Sequence, residues 1–470
     1  MMALYKIKKG LIIIAASLCV GYILYLFVVR VVPISGHTAT RVPICQGCNV
    51  VLIAIDPFRA DGLHVLGNQR TITPTLDRLA RQGYLFTNAF AVSSWTLPSA
   101  MSLMTGTYPS QHKIINKELI GQTEQQGIVP ARLADTNPGM ETLASILKSH
   151  GYVTGGFAGG AALDPSYGFD RGFDRYVSDG DFEGLQTTQP KALDFIRSHV
   201  HDRLFIFLHG FDVHGQYIPP EGLTKKYIPP GYNGMLTGSK DEQKALREEG
   251  VKQQSIHLTP LDVGFLRGIY DEKVERVDAQ IAEFLAAYKA LHVKNKTVFI
   301  FTSDHGDEFY EHGRIDHGMT LFDEVIHVPL IIVVPGVSPG YRVTDQVRNI
   351  DIMPTILSLV GLVPSPEGKR QMEGVSIIPS MQGEHQRLDL FAETSYRYAT
   401  FERAVRTWDG WKLIYDQNAS TDHIFNLKRD PAELSDLIWK NNAKEQELMT
   451  KLFLWTDMIE KSVTGRNGRP

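Results

Sequence analysis

Side chains that could carry out chemistry follow three predicted strands of the chain. They are Asp56 after the first strand, His209, Asp212 and His214 after the third, and Asp304 and His305 after the fourth. An aspartate after one strand usually marks only a turn or a helix cap. Carboxylates and imidazoles after three strands must instead pair with one another or bind a cation. The pattern therefore favours a metal site.

The residue types also indicate which metal would bind. Asp56 and Asp304 would supply carboxylate oxygens, and His305 would supply an imidazole nitrogen. Calcium prefers shells made only of oxygen, whereas zinc and manganese accept imidazole. We therefore expect a divalent metal ion as the cofactor, with zinc or manganese favoured and calcium as the alternative.

The stretch Ser93–Gly106 starts like a loop and continues like a helix, with Thr96 where the two meet. Pro98 suits the first turn of a helix, so Thr96 could act as its N-cap. A helix N-terminus also favours anions, and a hydroxyl beside a divalent metal can be ionised and made nucleophilic. The N-cap explanation is the simpler one for the stretch alone. Beside the predicted metal, Thr96 becomes a candidate nucleophile and metal ligand.

These residues need a scaffold that brings strand ends together. Five short runs are continuously apolar and rich in β-branched residues, which is typical of strands buried on both faces of a parallel sheet. The runs are Asn49–Ile55, Tyr152–Ala158, Leu204–Leu208, Thr297–Ser303 and Pro329–Val334. Segments with helical spacing, such as Thr73–Phe86 and Tyr270–Leu291, separate them. We predict an α/β fold with a mostly parallel central sheet flanked by helices, which binds ligands at the carboxyl ends of its strands.

The beginning of the chain differs from the rest. Residues 11–29 form an uncharged apolar run long enough to span a bilayer as a helix, and Lys6, Lys8 and Lys9 precede it. The pattern predicts a cytoplasmic tail at 1–10, a single transmembrane anchor in the plasma or inner membrane, and an extracytoplasmic catalytic domain. A cleaved signal peptide is the alternative.

The remaining boundaries follow from composition and pattern. A linker at 30–48 contains Cys45 and Cys48, which would close a tight disulfide in an oxidising compartment. We expect the catalytic α/β domain at 49–340. Shorter alternating segments after it predict a small antiparallel C-terminal subdomain at 341–470.

Composition excludes one class of partner. The chain has 470 residues, of which 43% are hydrophobic and 21% charged, and its formal net charge is -4. It has no dense basic block after its first residues and no interleaving of aromatic and basic residues, so we expect no nucleic-acid partner. Through residues 11–29, a membrane is an expected partner.

Sequence blocks in a fixed order resemble the sulfatase family of the alkaline phosphatase superfamily. The blocks are "VVLIAIDPFRADGL", "TPTLDRLARQGYLFTNAFA", "WTLPSAMSLMTGTYPSQH", "YGFDRGFDRY", "FLHGFDVHGQYIPP", "FTSDHGDEFYEHG", "HGMTLFDEVIHVPLIIVVPG" and "DIMPTILSLVGL". The resemblance covers most of the chain after the apolar run. It implies an alkaline phosphatase-like fold and a metal-dependent hydrolase or transferase that acts on sulfate or phosphate esters. The expected substrate is then a small-molecule, glycan or lipid ester.

The resemblance also implies roles for single residues. Asp56, Asp304 and His305 fall on metal-ligand positions, and Thr96 falls on the position of the nucleophile. The hydroxyl of Thr96, activated by the metal, would attack the ester and form a covalent intermediate that water or an alcohol resolves.

Four further residues match positions near the reacting group. His214 and His317 match residues that contact the transferred group or the leaving oxygen, and either would protonate that oxygen. His209 and Asp212 lie beside them and are candidate substrate-binding residues.

The chain departs from the family at the nucleophile. The corresponding stretch of true sulfatases has the pattern Cys-x-Pro-Ser-Arg, and its Cys, or a Ser in its place, is converted to formylglycine. Residues 96–100 of this chain read "TLPSA". A secondary alcohol cannot be oxidised to an aldehyde, so no formylglycine is expected, and Ala100 replaces the arginine. Pro57 stands where many sulfatases have a second Asp, and His305 stands where they often have Asn.

An Asp–His pair with a threonine nucleophile instead resembles the phospho-transferring branch. Lipoteichoic acid synthases and phosphoethanolamine transferases belong to it and are also membrane-anchored, and phosphonate monoester hydrolases share the Asp–His pair although they use formylglycine. We therefore expect cleavage or transfer of a phosphate ester through Thr96. Two alternatives stay open: a sulfuric-ester hydrolase that works without formylglycine, and a catalytically silent binding protein on the same fold.

Other polar and aromatic residues in these blocks have structural explanations. We expect packing, surface or helix-positioning roles for Trp95, Arg59, Asp61, Asp77, His112 and His312. Asp307 and Glu308 follow the metal pair closely, but a solvated loop would give the same pattern.

Overall fold

The computed structural model describes residues 42–120, 128–215, 226–234, 236–253, 257–337 and 339–467. None of the helices in this part of the chain combines the length and hydropathy that a membrane span requires. The predicted tail 1–10 and the predicted anchor 11–29 lie outside the described residues. At the described end of the predicted linker, Cys45 and Cys48 form a disulfide.

A large sheet forms the centre of the described protein. In chain order the strands are β1 (Asn49–Ile55), β2 (Tyr84–Phe90), β3 (Glu118–Ile120), β4 (Ile128–Pro130), β5 (Val153–Ala158), β6 (Arg175–Ser178), β7 (Leu204–Gly210), β8 (Thr297–Thr302), β9 (Glu308–Phe309), β10 (Ile315–Asp316), β11 (His327–Val333), β12 (Tyr341–Arg348), β13 (Leu390–Thr394), β14 (Glu402–Arg406), β15 (Trp411–Asp416) and β16 (Thr421–Asn426). The large sheet has the order β12-β2-β11-β8-β1-β7-β5-β6. Because β7, β1 and β8 are neighbours, their carboxyl ends meet at one edge of the sheet.

Most neighbouring strands of the large sheet are parallel, as predicted. Strand β1 pairs in parallel with both β7 and β8, and β5 pairs in parallel with both β7 and β6. Strand β11 is the exception, because it runs antiparallel to both β2 and β8. The sequence analysis took the run Pro329–Val334 for a parallel strand, which is wrong. A continuous apolar run indicates burial on both faces of a sheet, but it does not indicate the direction of the strand.

Strand β2 corrects a second expectation. The stretch Thr73–Phe86 was expected to be helical throughout, but its helix is Pro74–Gln82, and β2 starts at Tyr84. Gly83 separates the two elements, and a Cβ atom at this position would lie 2.4 Å from the carbonyl oxygen of Ile332 in β11. Because the two backbones approach so closely, only a glycine fits at this position. Gly83 therefore marks the point where the helix ends and the chain enters the sheet.

Helices cover both faces of the large sheet. Side chains of β1 alternate between two cores, with Val50 and Leu52 in one and Val51 and Ile53 in the other. The helices are Pro74–Gln82, Thr96–Thr105, Pro109–His112, Leu133–Thr136, Leu143–Ser149, Leu185–Ser198, Lys240–Gln253, Pro260–Ala290, Asp323–Ile326, Ile352–Leu359, Pro366–Gln371, Ile378–Met381 and Asn442–Asn467. Burial on both faces explains why the strands have continuous apolar sequences.

A smaller antiparallel sheet follows near the C-terminus, as predicted. It has the order β13-β14-β15-β16 and starts at Leu390. The helix Asn442–Asn467 packs on it through Trp455, whose ring is stacked on Phe391 at a centroid distance of 5.0 Å. Strand β12 belongs to the large sheet, although the sequence-based division placed it in the segment 341–470.

Candidate active site

The ends of β1 and β8 are tied together by one serine. The Ser303 hydroxyl lies 2.6 Å from the carbonyl oxygen of Ile55 and 2.7 Å from that of His305, and it accepts a hydrogen bond from the amide of Phe58 at 2.9 Å. All of these groups are buried. The serine therefore fixes the loop that follows β8 against the loop that follows β1.

The main chain of Asp304 is held from the other side. Ser99 lies in the helix Thr96–Thr105, and its hydroxyl donates to the Asp304 carbonyl oxygen at 2.5 Å. The side-chain amide of Asn349 donates to the Ser99 hydroxyl at 3.0 Å. Through these contacts, the helix that carries Thr96 is fixed to the strand end that carries Asp304.

Thr96 is the first residue of this helix, and Trp95 is its N-cap, with no side-chain capping bond. The Thr96 hydroxyl donates to Asp56 Oδ2 at 2.7 Å, and Thr96 Oγ1 lies 3.2 Å from His305 Nε2. The N-cap interpretation is therefore wrong, because this hydroxyl bonds a carboxylate of another element. The arrangement supports Thr96 as a reactive group at the positive end of a helix.

The tautomer of His305 follows from its hydrogen bonds. Its Nδ1 lies 2.8 Å from the Gly306 carbonyl oxygen, which can only accept, so Nδ1 carries the proton. The lone pair of Nε2 then faces the two acids, 3.5 Å from Asp56 Oδ1 and 3.7 Å from Asp304 Oδ2. Burial lowers the pKa of His305 to about 3, so the ring is neutral. A neutral ring of this orientation is suited to bind a metal.

Several buried polar atoms at this place have no hydrogen-bond partner among the described residues. They are Asp56 Oδ1, Asp304 Oδ2 and both ring nitrogens of His209. One ligand atom each from Asp56, His209 and Asp304 lie within 4.8 Å of one another. His209 was expected near the substrate, and it lies with the carboxylates. Its ring is fully buried, which lowers its pKa to about 3.

These residues fit a divalent cation. Burial, together with the neighbouring Asp304, raises the pKa of Asp56 well above its ordinary value, and burial likewise raises that of Asp304. Two carboxylates in such a place hold a proton unless a positive charge compensates them. Carboxylate oxygens and neutral imidazoles are also the donors of protein sites for divalent transition metals.

His317 lies next to this cluster and is held by two acids. Its Nδ1 is 3.0 Å from Asp307 Oδ1 and 2.8 Å from Asp316 Oδ1, and its ring centroid is 4.5 Å from that of His305. Burial alone would lower the pKa of His317, but Asp316 and Asp307 raise it well above the ordinary value. His317 is therefore the protonated histidine of the site. Asp307 is completely buried, so the alternative of a solvated loop is wrong for this residue.

His214 and Asp212 occupy the loop after β7. The ring centroid of His214 is 5.0 Å from that of His317, and burial lowers the pKa of His214 to about 3. Lys273, which the sequence analysis missed, donates to the His214 carbonyl oxygen at 2.8 Å. Both carboxylate oxygens of Asp212 accept from the amide of Leu185, at 3.0 and 2.9 Å. Asp212 thus holds the start of a helix, and its expected contact with substrate stays a prediction.

A cavity of about 660 Å³ opens above Thr96, His214 and His317. The ring of Trp95 packs edge-on against Tyr396 at a centroid distance of 5.3 Å, and both rings line the cavity. Further lining residues that sequence reasoning missed are Lys117, Phe182, Lys240, Lys244, Arg247, Asp316 and Arg397. Except for Asp316, which directly precedes His317, they lie in segments without a motif, so their position depends on tertiary packing.

Other residues considered in the sequence have structural partners. His112 Nε2 lies 3.1 Å from the Ser102 hydroxyl, and His112 Nδ1 accepts from the amide of Ile114. His312 pairs with Glu324 at 3.2 Å. Arg59, the arginine of the first block, pairs with Asp61 and Glu311 at 2.8 and 2.6 Å. These contacts agree with structural roles.

The chain matches known families over nearly all of its described length. Residues 48–362 match the family model described as sulfatase. The protein belongs to the sulfatase family. Residues 310–460 of this sulfatase-family protein also match the model described as N-sulphoglucosamine sulphohydrolase, C-terminal. As a member of this family, the protein is an enzyme that acts on sulfuric or phosphoric esters.

Individual sulfatase relatives and solved structures agree with this assignment. The chain is 24% identical to an arylsulfatase of Clostridium perfringens over 457 residues, covering 85% of this chain and 92% of the relative. A 2-O GAG sulfatase is similar in fold, with a TM-score of 0.68 and 19% identity over 90% of this chain and 94% of that one. The phosphonate monoester hydrolase of Agrobacterium radiobacter has a TM-score of 0.66 and 21% identity over 88% and 96%.

We expect metal binding to be measurable without any substrate. After chelation, zinc or manganese at about 100 times its Kd should raise the midpoint of thermal unfolding by several degrees, since such a ligand stabilises by about 2.7 kcal/mol. At a fixed metal concentration, the rise should grow as the pH increases above the ordinary aspartate pKa of 3.8, because the metal must displace the protons that Asp56 and Asp304 keep in the metal-free protein.

Asp56→Asn should abolish most of this rise, because it removes one ligand charge. The matched control is Glu367→Gln, which changes an exposed carboxylate. An equal rise in the parent and in Asp56→Asn would contradict the assignment of the site.

Proposed function

We propose that the protein is a membrane-anchored, metal-dependent enzyme that cleaves or transfers a phosphate ester through Thr96. One observation carries the proposal: Thr96 Oγ1 lies at a helix N-terminus, 2.7 Å from Asp56, in the cluster that fits a cation. The proposed metal ligands are Asp56, Asp304, His305 and Thr96. His209 is added to them because its ring nitrogens are buried without a partner among the described residues.

The metal and the chain have separate tasks in this proposal. A divalent cation bound there, zinc or manganese by preference, would supply positive charge that favours an ionised hydroxyl and stabilises charge on the ester. Asp56 Oδ2 orients the hydroxyl and accepts its proton. The positive end of the helix Thr96–Thr105 lies at Thr96 and would stabilise negative charge that develops there.

The reaction then follows in two displacements. The bond between Thr96 Oγ1 and phosphorus forms as the bond between phosphorus and the leaving oxygen breaks. His317 gives that oxygen a proton from Nε2, because Nδ1 is engaged by Asp307 and Asp316. Water or an acceptor alcohol next attacks phosphorus and gives its proton to His317. Thr96 Oγ1 leaves and takes back its proton from Asp56.

The chemistry at Thr96 favours phosphate over sulfate. Threonine cannot form the aldehyde of formylglycine, and Ala100 replaces the arginine of true sulfatases. The second candidate is a sulfuric-ester hydrolase that works without formylglycine. It is supported by the match of residues 310–460 to a sulphohydrolase model and by the arylsulfatase relatives.

The proposed location follows from the sequence. Residues 11–29 would anchor the protein in the plasma or inner membrane, with the catalytic domain outside the cytoplasm. The pair Cys45–Cys48 supports an oxidising compartment. The substrate would be a small-molecule, glycan or lipid ester, and no nucleic acid is involved.

A panel of esters tests the proposal. The parent protein, reloaded with zinc or manganese, should turn over aryl phosphates or phosphodiesters faster than the matching aryl sulfate. Thr96→Ala should lower kcat/KM at least about a thousandfold, because it removes the nucleophile. Thr105→Ala, at the other end of the same helix, is the matched control, and its kcat/KM should stay within a few-fold of that of the parent protein.

Two results of this panel would decide against the proposal. Faster turnover of the sulfate would favour the second candidate. Full turnover by Thr96→Ala would exclude Thr96 as the nucleophile in either case.

His317 gives a prediction about pH and leaving groups. Its pKa lies well above 6.5, so it is protonated at neutral pH and loses its proton as the pH rises. For alkyl esters, kcat/KM should therefore fall on the alkaline side. His317→Gln should remove this alkaline fall. It should lower kcat/KM about 10²- to 10⁴-fold for esters with alkyl leaving groups, but much less for 4-nitrophenyl esters, whose leaving group needs little protonation.

The control for this prediction is His385→Gln, which changes an exposed histidine. Equal losses of the His317→Gln protein for alkyl and nitrophenyl esters would show that His317 does not protonate the leaving group.

A further inference from the structure

The cavity above Thr96 has more room and more positive charge than one ester group needs. Its volume of about 660 Å³ lies in the range of pockets that enclose whole small molecules. The helix Lys240–Gln253 contributes to its lining. Lys240, Lys244 and Arg247 follow one another at spacings of four and three residues, so they share one face of this helix, and all three line the cavity.

The three cations differ in how they are paired. Arg247 is engaged by Asp316, the acid that also holds His317. Lys240 Nζ is 3.9 Å from Asp181, and Lys244 Nζ is 3.9 Å from Glu248, which is too long for a hydrogen bond. Their side chains are 62% and 60% exposed. The two lysines therefore present weakly compensated charges to the cavity, whereas Arg247 serves the interior of the site.

Aromatic side chains in the same lining support a ligand larger than the reacting group. The rings of Trp95 and Tyr396 line the cavity, as does Arg397. The guanidinium of Arg397 is 5.1 Å from the centroid of the Tyr396 ring. The cavity thus offers aromatic rings and ammonium groups besides the place of the ester at Thr96.

We propose that the substrate carries a second anionic group besides the ester that reacts, and that Lys240 and Lys244 bind this group. The inference rests on the proposed function only in that the ester lies at Thr96. The substrate class is then a small, multiply charged ester, such as a sugar with a second phosphate, sulfate or carboxylate. The two lysines determine specificity and do not take part in the chemical step.

Binding to the Thr96→Ala protein tests this inference without turnover. Isothermal titration calorimetry compares glucose 6-phosphate with glucose 1,6-bisphosphate, and glucosamine 6-sulfate with N-sulfoglucosamine 6-sulfate. The doubly charged member of at least one pair should bind about tenfold more tightly. The variant Lys240→Ala/Lys244→Ala should reduce this advantage to about twofold or less, because exposed ion pairs contribute little singly but add up.

The matched control is Lys289→Ala/Lys294→Ala, which removes the same charge from exposed lysines. Lys294 precedes β8, at the amino ends of the strands and opposite the site. This control should keep the full advantage, and all variants should keep the thermal midpoint of the parent.

Each remaining result overturns the inference. These results are no preference for either doubly charged probe, a preference that survives in Lys240→Ala/Lys244→Ala, and an equal loss in the control. Because the readout is binding, a protein that hydrolyses neither phosphate nor sulfate esters would defeat the proposed function and leave this measurement intact. Turnover without a preference for a second charge would defeat only the inference.

Discussion

Two carboxylates that lie side by side away from water set the main constraint of this structure. Asp56 and Asp304 are fully buried, and each has one oxygen without a hydrogen-bond partner among the described residues. The imidazoles of His305 and His209 are neutral because they are buried. Without a cation, the acids must retain protons at a pH where exposed acids would be charged. A divalent ion bound there would compensate the charge of both carboxylates, so that they could lose their protons. One of the same acids, Asp56, orients the hydroxyl of Thr96.

The sheet supplies the precision that such a cluster needs. In the register of the central strands, Ala54 of β1 pairs with His209 of β7 on one side and with Thr302 of β8 on the other. Asp56 and Asp304 each follow two residues after the pair Ala54–Thr302, so both lie just beyond the carboxyl ends of β1 and β8. A shift of one residue would turn their side chains to opposite faces. The hydrogen bonds of the Ser303 hydroxyl hold the ends of β1 and β8 together and so fix the relative positions of the two acids further.

The sequence made the centre of this site predictable, because strand ends in a parallel sheet meet at one edge whatever the details of packing. Asp56, Asp304 and His305 could therefore be placed together in advance, whereas Thr96 was placed with them by its match to the nucleophile position of the family. The direction of β11 and the existence of β2 could not, since burial leaves the same apolar pattern in either direction. Arg247 was also beyond sequence reasoning, because a helix distant in the chain brings it to Asp316, which in turn contacts His317.

Anomalous X-ray diffraction from crystals grown with zinc or manganese tests the central claim most directly. The account predicts a metal peak within coordination distance of Asp56, Asp304 and His305, with Thr96 Oγ1 beside it. A second group of possible ligands, Asp307, Asp316 and His317, lies close by and serves as an internal comparison. A peak only at that second group, or no peak between the two buried carboxylates, would contradict the account.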